Sequence, residues 1–257
     1  MTTLVARASE SLHWYNRDGS PQYTVKAKSG GDRATTLRDA RTMSLVPSVT
    51  TIIKSAASPG LEAWKLNQML LAALTLPRAP DEPETSFVQR VIADSKEHAK
   101  MAAERGTKVH TAVEAFYSGI MQADMMDYQI GVSTKLEDTY GITEFEPEKS
   151  FAHELGFGGK LDLFSRTAFG GKGLVLDIKS KEFTDPAKVD AYDEHMMQLA
   201  AYRMGVGLPE AVIANVFVSV LEPGLVVVKE WSPEDADRGW TMFQSLLNFW
   251  QAKNQHK

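Results

Sequence analysis

At Gly141 the hydrophobic pattern changes its period. From residue 84 up to that point, apolar side chains recur at the spacing of amphipathic helices. Beyond it, ITEFEPEKSFAHE, FGGKLDLFSR and GLVLDIKS alternate or run apolar over short lengths between Gly-rich turns. The boundary predicts helices followed by a three-stranded antiparallel meander. Residues 186–204 return to helical spacing, AVIANVFVSVLE and LVVVKEW read as two further strands, and SPEDADRGWTMFQSLLNFW reads as a Ser-capped terminal helix. This order predicts an α/β (α+β) chain with a mixed central sheet flanked by helices. We expect one domain, in which residues 1–140 form a hairpin and helical region closing over a sheet-bearing core at 141–257.

Ahead of Gly141, the Asp18-Gly19 pair inside LHWYNRDGSPQYTV predicts a hairpin, and KSGGDRATT predicts a loop. Ser48 is placed to cap a short helix through Lys54. Ser58-Pro59-Gly60 leads into a helix over LEAWKLNQMLLAA, which Pro77, Pro80 and Pro83 end. The stretch 84–118 predicts two helices meeting near Gly106, and 123–140 predicts one more.

The 257 residues include no Cys. Disulfides, a thiol nucleophile and a thiolate-held cluster are therefore excluded, and a metal site must draw on His, carboxylate and carbonyl ligands, which favours a hard divalent cation. No apolar run approaches the roughly 20 residues of a membrane helix, and MTTLVARASESLHW lacks a signal-peptide core, so the expected compartment is the cytoplasm. A formal net charge of -5 argues against a surface coated with phosphate-binding lysines. Residues 1–54 nevertheless carry eight Lys/Arg against four Asp/Glu, a local excess of 8 - 4 = +4.

Alternate side chains of a strand share a face. Along Leu174-Val175-Leu176-Asp177-Ile178-Lys179-Ser180-Lys181, that sends Leu174, Leu176 and Ile178 to a core and projects Asp177 and Lys179 together on the other side. Asp162, in the preceding GGKLD, lies 177 - 162 = 15 residues earlier, enough for a turn and a return. Both carboxylates can thus converge on one cation, with Gly158 and Gly159 admitting a backbone or a phosphate nearby. Two carboxylates suit Mg²⁺, which keeps positions for water and phosphate oxygens. A neighbouring lysine suits the orientation of a water or the stabilisation of negative charge in phosphodiester hydrolysis. Taken singly these residues are ordinary, since D-x-K is common and the same groups would make a solvated, ion-paired face of an antiparallel sheet. His110 and Glu114 share a helical face through their spacing of four, as do Gln198 and Tyr202. His110 can ligate a metal while Glu114 orients it. Trp14, Tyr15 and Tyr23, set among Arg and Lys, suit either stacking on unpaired bases or the packing of a hairpin.

Taken in order, RGTKVHTAVE, GGKLD, DIKS and QLAAY resemble the motifs R-G-x-x-H-x-x-x-E, G-x-x-D, D-x-K-[ST] and Q-x-x-x-Y of the RecB-like branch of the PD-(D/E)xK nuclease superfamily. PSVTTIIK and the Trp-containing helix after it are similar to the N-terminal part of phage-type and mitochondrial genome-maintenance exonucleases of that branch, so the likeness spans residues 45–205. The resemblance implies a restriction-endonuclease-like fold and a Mg²⁺- or Mn²⁺-dependent exonuclease acting on single-stranded DNA or free DNA ends in recombination, repair or replication. It implies metal ligation by Asp162, Asp177, the carbonyl of Ile178 and His110, with Glu114 in support. Lys179 would be the catalytic lysine, Gln198 and Tyr202 would position it or the DNA backbone, and Arg105, Lys108, Ser180 and Lys181 would contact DNA. Leu161 stands where the superfamily carries its Pro, and the second acid is Asp. Without Cys the chain lacks the iron-sulfur cluster of some relatives. Open alternatives are a duplex-dependent exonuclease resembling lambda exonuclease and a catalytically silent nucleic-acid-binding protein. A zinc hydrolase built on His110 and Glu114 is disfavoured by the absence of H-E-x-x-H. A single-strand-annealing or replication protein is an expected partner class, and the oligomeric state stays open.

Overall fold

The computed structural model describes residues 13–56 and 59–256. The expected lack of a leader and the role of Ser58 at a helix start lie outside those residues. Strand β1 (Trp14–Tyr15) leads into a turn at Asp18-Gly19, and the chain returns antiparallel as predicted. The Asn16 N–H donates to the Ser20 carbonyl and the Gln22 N–H to the Trp14 carbonyl, each at 2.8 Å, around a single antiparallel bridge from Tyr15 to Pro21, so this hairpin is one bridge long. A second, longer hairpin follows between β2 (Thr24–Lys26) and β3 (Asp32–Ala34), about the KSGGD segment expected to be only a loop. Helix α1 (Leu37–Met43), absent from the sequence-based expectation, starts with a capping box in which Thr36 and Asp39 bond each other's backbone N–H. Asp in place of the usual Glu or Gln at the box's third position hides that signal. Strand β4 (Val46–Pro47) pairs with β1, and α2 (Val49–Ile53) begins at Ser48, whose hydroxyl accepts from the Thr51 N–H at 3.0 Å as predicted.

Helix α3 (Pro59–Thr75) is followed by α4 (Glu84–Tyr117) and α5 (Met126–Tyr140). The expected break at Gly106 does not occur, and α4 is one helix of 34 residues. A helical glycine costs only about 1 kcal/mol relative to Ala. Burial of Val109, Ala112 and Val113 on the next turns outweighs it. The position has its own use, because a Cβ there would lie 2.7 Å from Ser180 Oγ.

Five strands then form the main sheet: β5 (Glu146–His153), β6 (Phe157–Ser165), β7 (Leu174–Lys181), β8 (Val212–Ser219) and β9 (Val226–Trp231), hydrogen-bonded in that order. A short turn of helix α6 (Ala168–Gly171) joins β6 to β7. Helix α7 (Asp193–Gly205) carries the crossover that lets β7 and β8 run parallel, and α8 (Pro233–Asn254) closes the described chain. All other neighbouring pairs in this sheet are antiparallel, so it is mixed as expected.

Helices cover both sheet faces. On one, Phe157, Leu161, Val175 and Ile213 pack with residues of α2, α7 and α8; on the other, Leu163, Leu174, Leu176 and Ile178 pack with residues of α4 and α5. This two-sided burial explains why β7 and β8 read as near-continuous apolar runs. The first 140 residues contribute to both layers, through Trp14, Leu45 and Ile52 in one and Val109, Val113 and Leu136 in the other. No helix among the described residues is long and apolar enough to cross a membrane.

Where α7 ends, a Cβ on Gly205 would come within 2.0 Å of the Phe151 ring. Although Ala is the better helix former, Gly205→Ala is predicted to destabilise the fold by roughly 1–3 kcal/mol through overpacking. Urea denaturation checks this, and a midpoint at or above that of wild type would contradict it.

Candidate active site

The β6–β7 ladder pairs Leu163 with Leu176 and goes no further. One more step of that register would set Asp162 opposite Asp177. Instead the Ile178 N–H donates to Asp162 Oδ2 at 2.7 Å, so a side-chain carboxylate replaces a ladder carbonyl and the strands part. On the other side of Asp162, β5 skips a ladder pair at Glu148, whose φ of 56° is left-handed. For a residue with a Cβ that conformation costs roughly 1–2 kcal/mol. The sheet thus opens around Asp162, and four carboxyl groups gather there.

Asp177 is 2% exposed. Its oxygens accept from Lys179 Nζ at 2.7 Å, Gln198 Nε2 at 2.9 Å and Asn215 Nδ2 at 2.9 Å. Gln198 also accepts from Lys179 Nζ at 3.1 Å and donates to Tyr202 Oη at 2.9 Å. Burial pushes the Asp177 carboxyl up, against the pull of the Lys179 ammonium. Burial likewise pushes the Tyr202 phenol well up, which keeps it neutral. This excludes a solvated, half-exposed sheet face for these groups.

A second cluster lies beside the first. His110, Glu114 and Asp162 each offer a ligand atom, all within 4.8 Å of one another. His110 Nδ1 is 3.5 Å from Asp162 Oδ2. Burial lowers the His110 imidazole, but the Asp162 carboxylate outweighs it and the net direction is up; burial raises Asp162, and His110 in turn brings it down. Glu114 is pushed up to about 8 by burial and by a hydrogen bond with Glu148. Glu148 is itself ion-paired to Lys160. Crowded carboxyls with an imidazole and no thiol form a donor set for a hard divalent cation. Glu114, expected only to orient His110, stands among the candidate ligands. Asp177 is outside this trio and is held by side-chain donors. Ile178 is tied to the site through its N–H.

A cavity of about 380 Å³ opens onto the trio. Its floor includes Asp162 and Tyr202, one wall is the Gly106, Thr107 and His110 face of α4, and the other is formed by His13, Tyr15 and Tyr23. The first turns of the described chain thus supply part of the cavity's lining. Gly159 lines this cavity, whereas Gly158 does not, and a Cβ at either position would collide with Phe151 and with Tyr15 or Tyr202.

Within the expected DNA-contact set, Trp14 needs correction. Trp14 is fully buried, edge-on to Trp250 and His256, and cannot stack on a base. Tyr15 lines the cavity, but its ring is buried and its hydroxyl shares a hydrogen bond with Tyr23 at 2.9 Å. Arg105 pairs with Glu182 at 3.4 Å, Ser180 packs beside Gly106, and the Lys181 ammonium lies 5.6 Å from the Tyr192 ring centre. Lys108 is exposed. Of these six residues, Tyr15 alone lines the cavity.

Two residues went unread in the sequence. Asn215 is fully buried on β8 and holds Asp177, while Trp231 Nε1 donates to Asn215 Oδ1 at 2.9 Å. The available signal was a lone amide in the apolar run AVIANVFVSV, since a buried polar residue is the informative exception in a core strand.

No family model and no curated protein matches the chain. Among solved structures it is similar to one titled "Crystal structure of SSO0001", at 16% identity and a TM-score of 0.28, over 72% of this chain and 86% of that one. Likeness at that level transfers neither fold nor function.

Asn215→Leu is predicted to leave the buried Asp177 carboxyl short of a donor and to destabilise the fold by roughly 1–3 kcal/mol. Adding Trp231→Phe should bring little further loss, because both changes cut the same chain of bonds. Urea denaturation of the single and double variants checks this, and additive losses would contradict it. Burial, aided by Lys179 and Lys181, pushes His195 down from 6.5 to about 4. Between those values the unfolded chain takes up a proton that the folded chain refuses, so stability should fall as pH drops from 6.5 to about 4. In His195→Gln this part of the pH dependence should disappear, and an unchanged slope of unfolding free energy against pH would contradict the assignment.

Proposed function

We propose that this chain is a metal-dependent deoxyribonuclease of the RecB-like branch of the PD-(D/E)xK superfamily, with a restriction-endonuclease-like core, that hydrolyses phosphodiester bonds at DNA ends. One observation carries this reading: the His110, Glu114 and Asp162 trio lies against the bonded set Asp177, Lys179, Gln198 and Tyr202 at the point where β6 and β7 part. The four motifs that resemble the family meet there, although they are spread over about a hundred residues of sequence.

The ligands would be His110, Glu114 and Asp162, with Asp177 and the Ile178 carbonyl next to them, and the ion Mg²⁺ or Mn²⁺. When bound, such a cation supplies Lewis acidity towards a phosphodiester and an acidified water. The chain's own groups do the rest. Lys179 Nζ, held by Asp177 and Gln198, would face the negative charge that develops at phosphorus. Gln198 fixes that nitrogen, and Tyr202 fixes Gln198. The β6–β7 opening, walled by α4 and the N-terminal segment, suits the end of a single strand better than an uninterrupted duplex.

Labelled single- and double-stranded oligonucleotides, 5′- or 3′-tagged, test the reading with Mg²⁺, Mn²⁺ or EDTA. We expect metal-dependent shortening of single strands from an end, lost in EDTA. Lys179→Ala should lose activity by roughly 100-fold or more while staying folded. Undiminished cleavage by that variant, or cleavage in EDTA, would contradict the assignment.

A further inference from the structure

Helix α3 packs chiefly on α4, and Ala72 is its one buried side chain among the described residues. Leu61, Trp64, Leu66, Met69, Leu70, Leu71 and Leu74 are all large and exposed, Leu74 at 83%. A helix that is apolar around most of its circumference belongs in an interior. Leaving such side chains in water forfeits about 1.5–3 kcal/mol for each that could be fully buried. The first part of α4 extends the patch with Val88 at 44% and Met101 at 51% exposure.

We propose that this arm, α3 with residues 84–104 of α4, is the interface through which two copies of the chain associate, forming a four-helix bundle in which α3 lies antiparallel to its counterpart about a two-fold axis near Leu70. The charges favour a second copy over other occupants. From Leu66 to Leu74 the sequence LNQMLLAAL carries no ionisable residue, so its partner must be uncharged there, and the same segment of a second copy meets that requirement. The two charges on α3, Glu62 and Lys65, already pair with each other at 2.8 Å. Residues 84–104 carry four acids (84, 94, 97, 104) and three bases (90, 96, 100). That balance lacks the cationic excess needed to hold a nucleic acid or an anionic membrane, and it sets up little repulsion between two copies. The size also suffices: α3 has 17 residues and 84–104 adds 104 - 83 = 21, so the outward faces of these 17 + 21 = 38 residues can supply the roughly 20–30 residues per side of a standard stable interface. Trp64 supplies a large aromatic of the kind that anchors such contacts. A C2 pair uses the same patch twice, which closes the assembly and leaves no apolar face over.

The absence of Cys makes the pairing directly testable. Sedimentation of the full chain over a range of concentrations should give a dimer. Leu70→Lys combined with Leu74→Lys should give a monomer with unchanged far-ultraviolet circular dichroism. Independently, Leu70→Cys should form a disulfide-linked dimer under mild oxidation because it sits near the axis, whereas Leu61→Cys at the helix end should not. The proposal is overturned by a wild-type monomer, by a trimer, by a dimer that survives the double lysine change, or by cross-linking at Leu61 and not at Leu70. None of these readouts depends on cleavage, so the interface and the nuclease reading stand or fall separately.

Discussion

A carboxylate withdrawn from water survives as an ion only where its lone pairs are filled, and Asp177 sits under that constraint on a central strand. The groups that satisfy it come from three elements: Lys179 from β7 itself, Gln198 from α7 and Asn215 from β8. Much of the surrounding architecture follows. The parallel β7–β8 pairing sets Asn215 directly beside Asp177, and α7 must lie close enough over the sheet for Gln198 to reach. Trp231, on β9, completes the satisfaction of Asn215.

Asp162 makes a different use of its neighbours. By taking the Ile178 N–H it ends the β6–β7 ladder and opens the sheet where α4 crosses with His110 and Glu114. The crowding is visible in the groups themselves: burial and a hydrogen bond with Glu148 raise Glu114 to about 8, and Glu148 is ion-paired to Lys160. Bringing acids together at that cost in stability makes physical sense where a divalent charge is to be held, which is why the proposed function starts from this cluster.

What could be read in the sequence divides along local and non-local lines. The alternation in LVLDIKSK located β7 and assigned Leu176 and Asp177 to opposite faces, because strand periodicity is a local property. Ser48 and Ser232 announced their helices for the same reason. Trp14 was misread as a surface stacking group because its burial against Trp250 depends on a segment more than two hundred residues away. The Asp-Gly pair marks a true turn but not the longer ladder about Ser29-Gly30-Gly31, and the continuity of α4 through Gly106 is hidden because a close approach by Ser180 leaves no local trace. Asn215 was overlooked since nothing in β8 says which neighbour it faces. Motif order brought His110, Asp162, Asp177, Lys179, Gln198 and Tyr202 together on paper; the division of labour between Glu114 and Asp177 needed coordinates.

The central claim is that His110, Glu114 and Asp162 jointly hold a divalent cation beside the Asp177–Lys179 pair. Mn²⁺ titration followed by electron paramagnetic resonance tests it without reference to any substrate. The wild-type protein should remove Mn²⁺ from the free-ion signal, and His110→Ala, Glu114→Gln and Asp162→Asn should each restore that signal at the same concentrations. Equal Mn²⁺ uptake by wild type and the three variants would contradict the account.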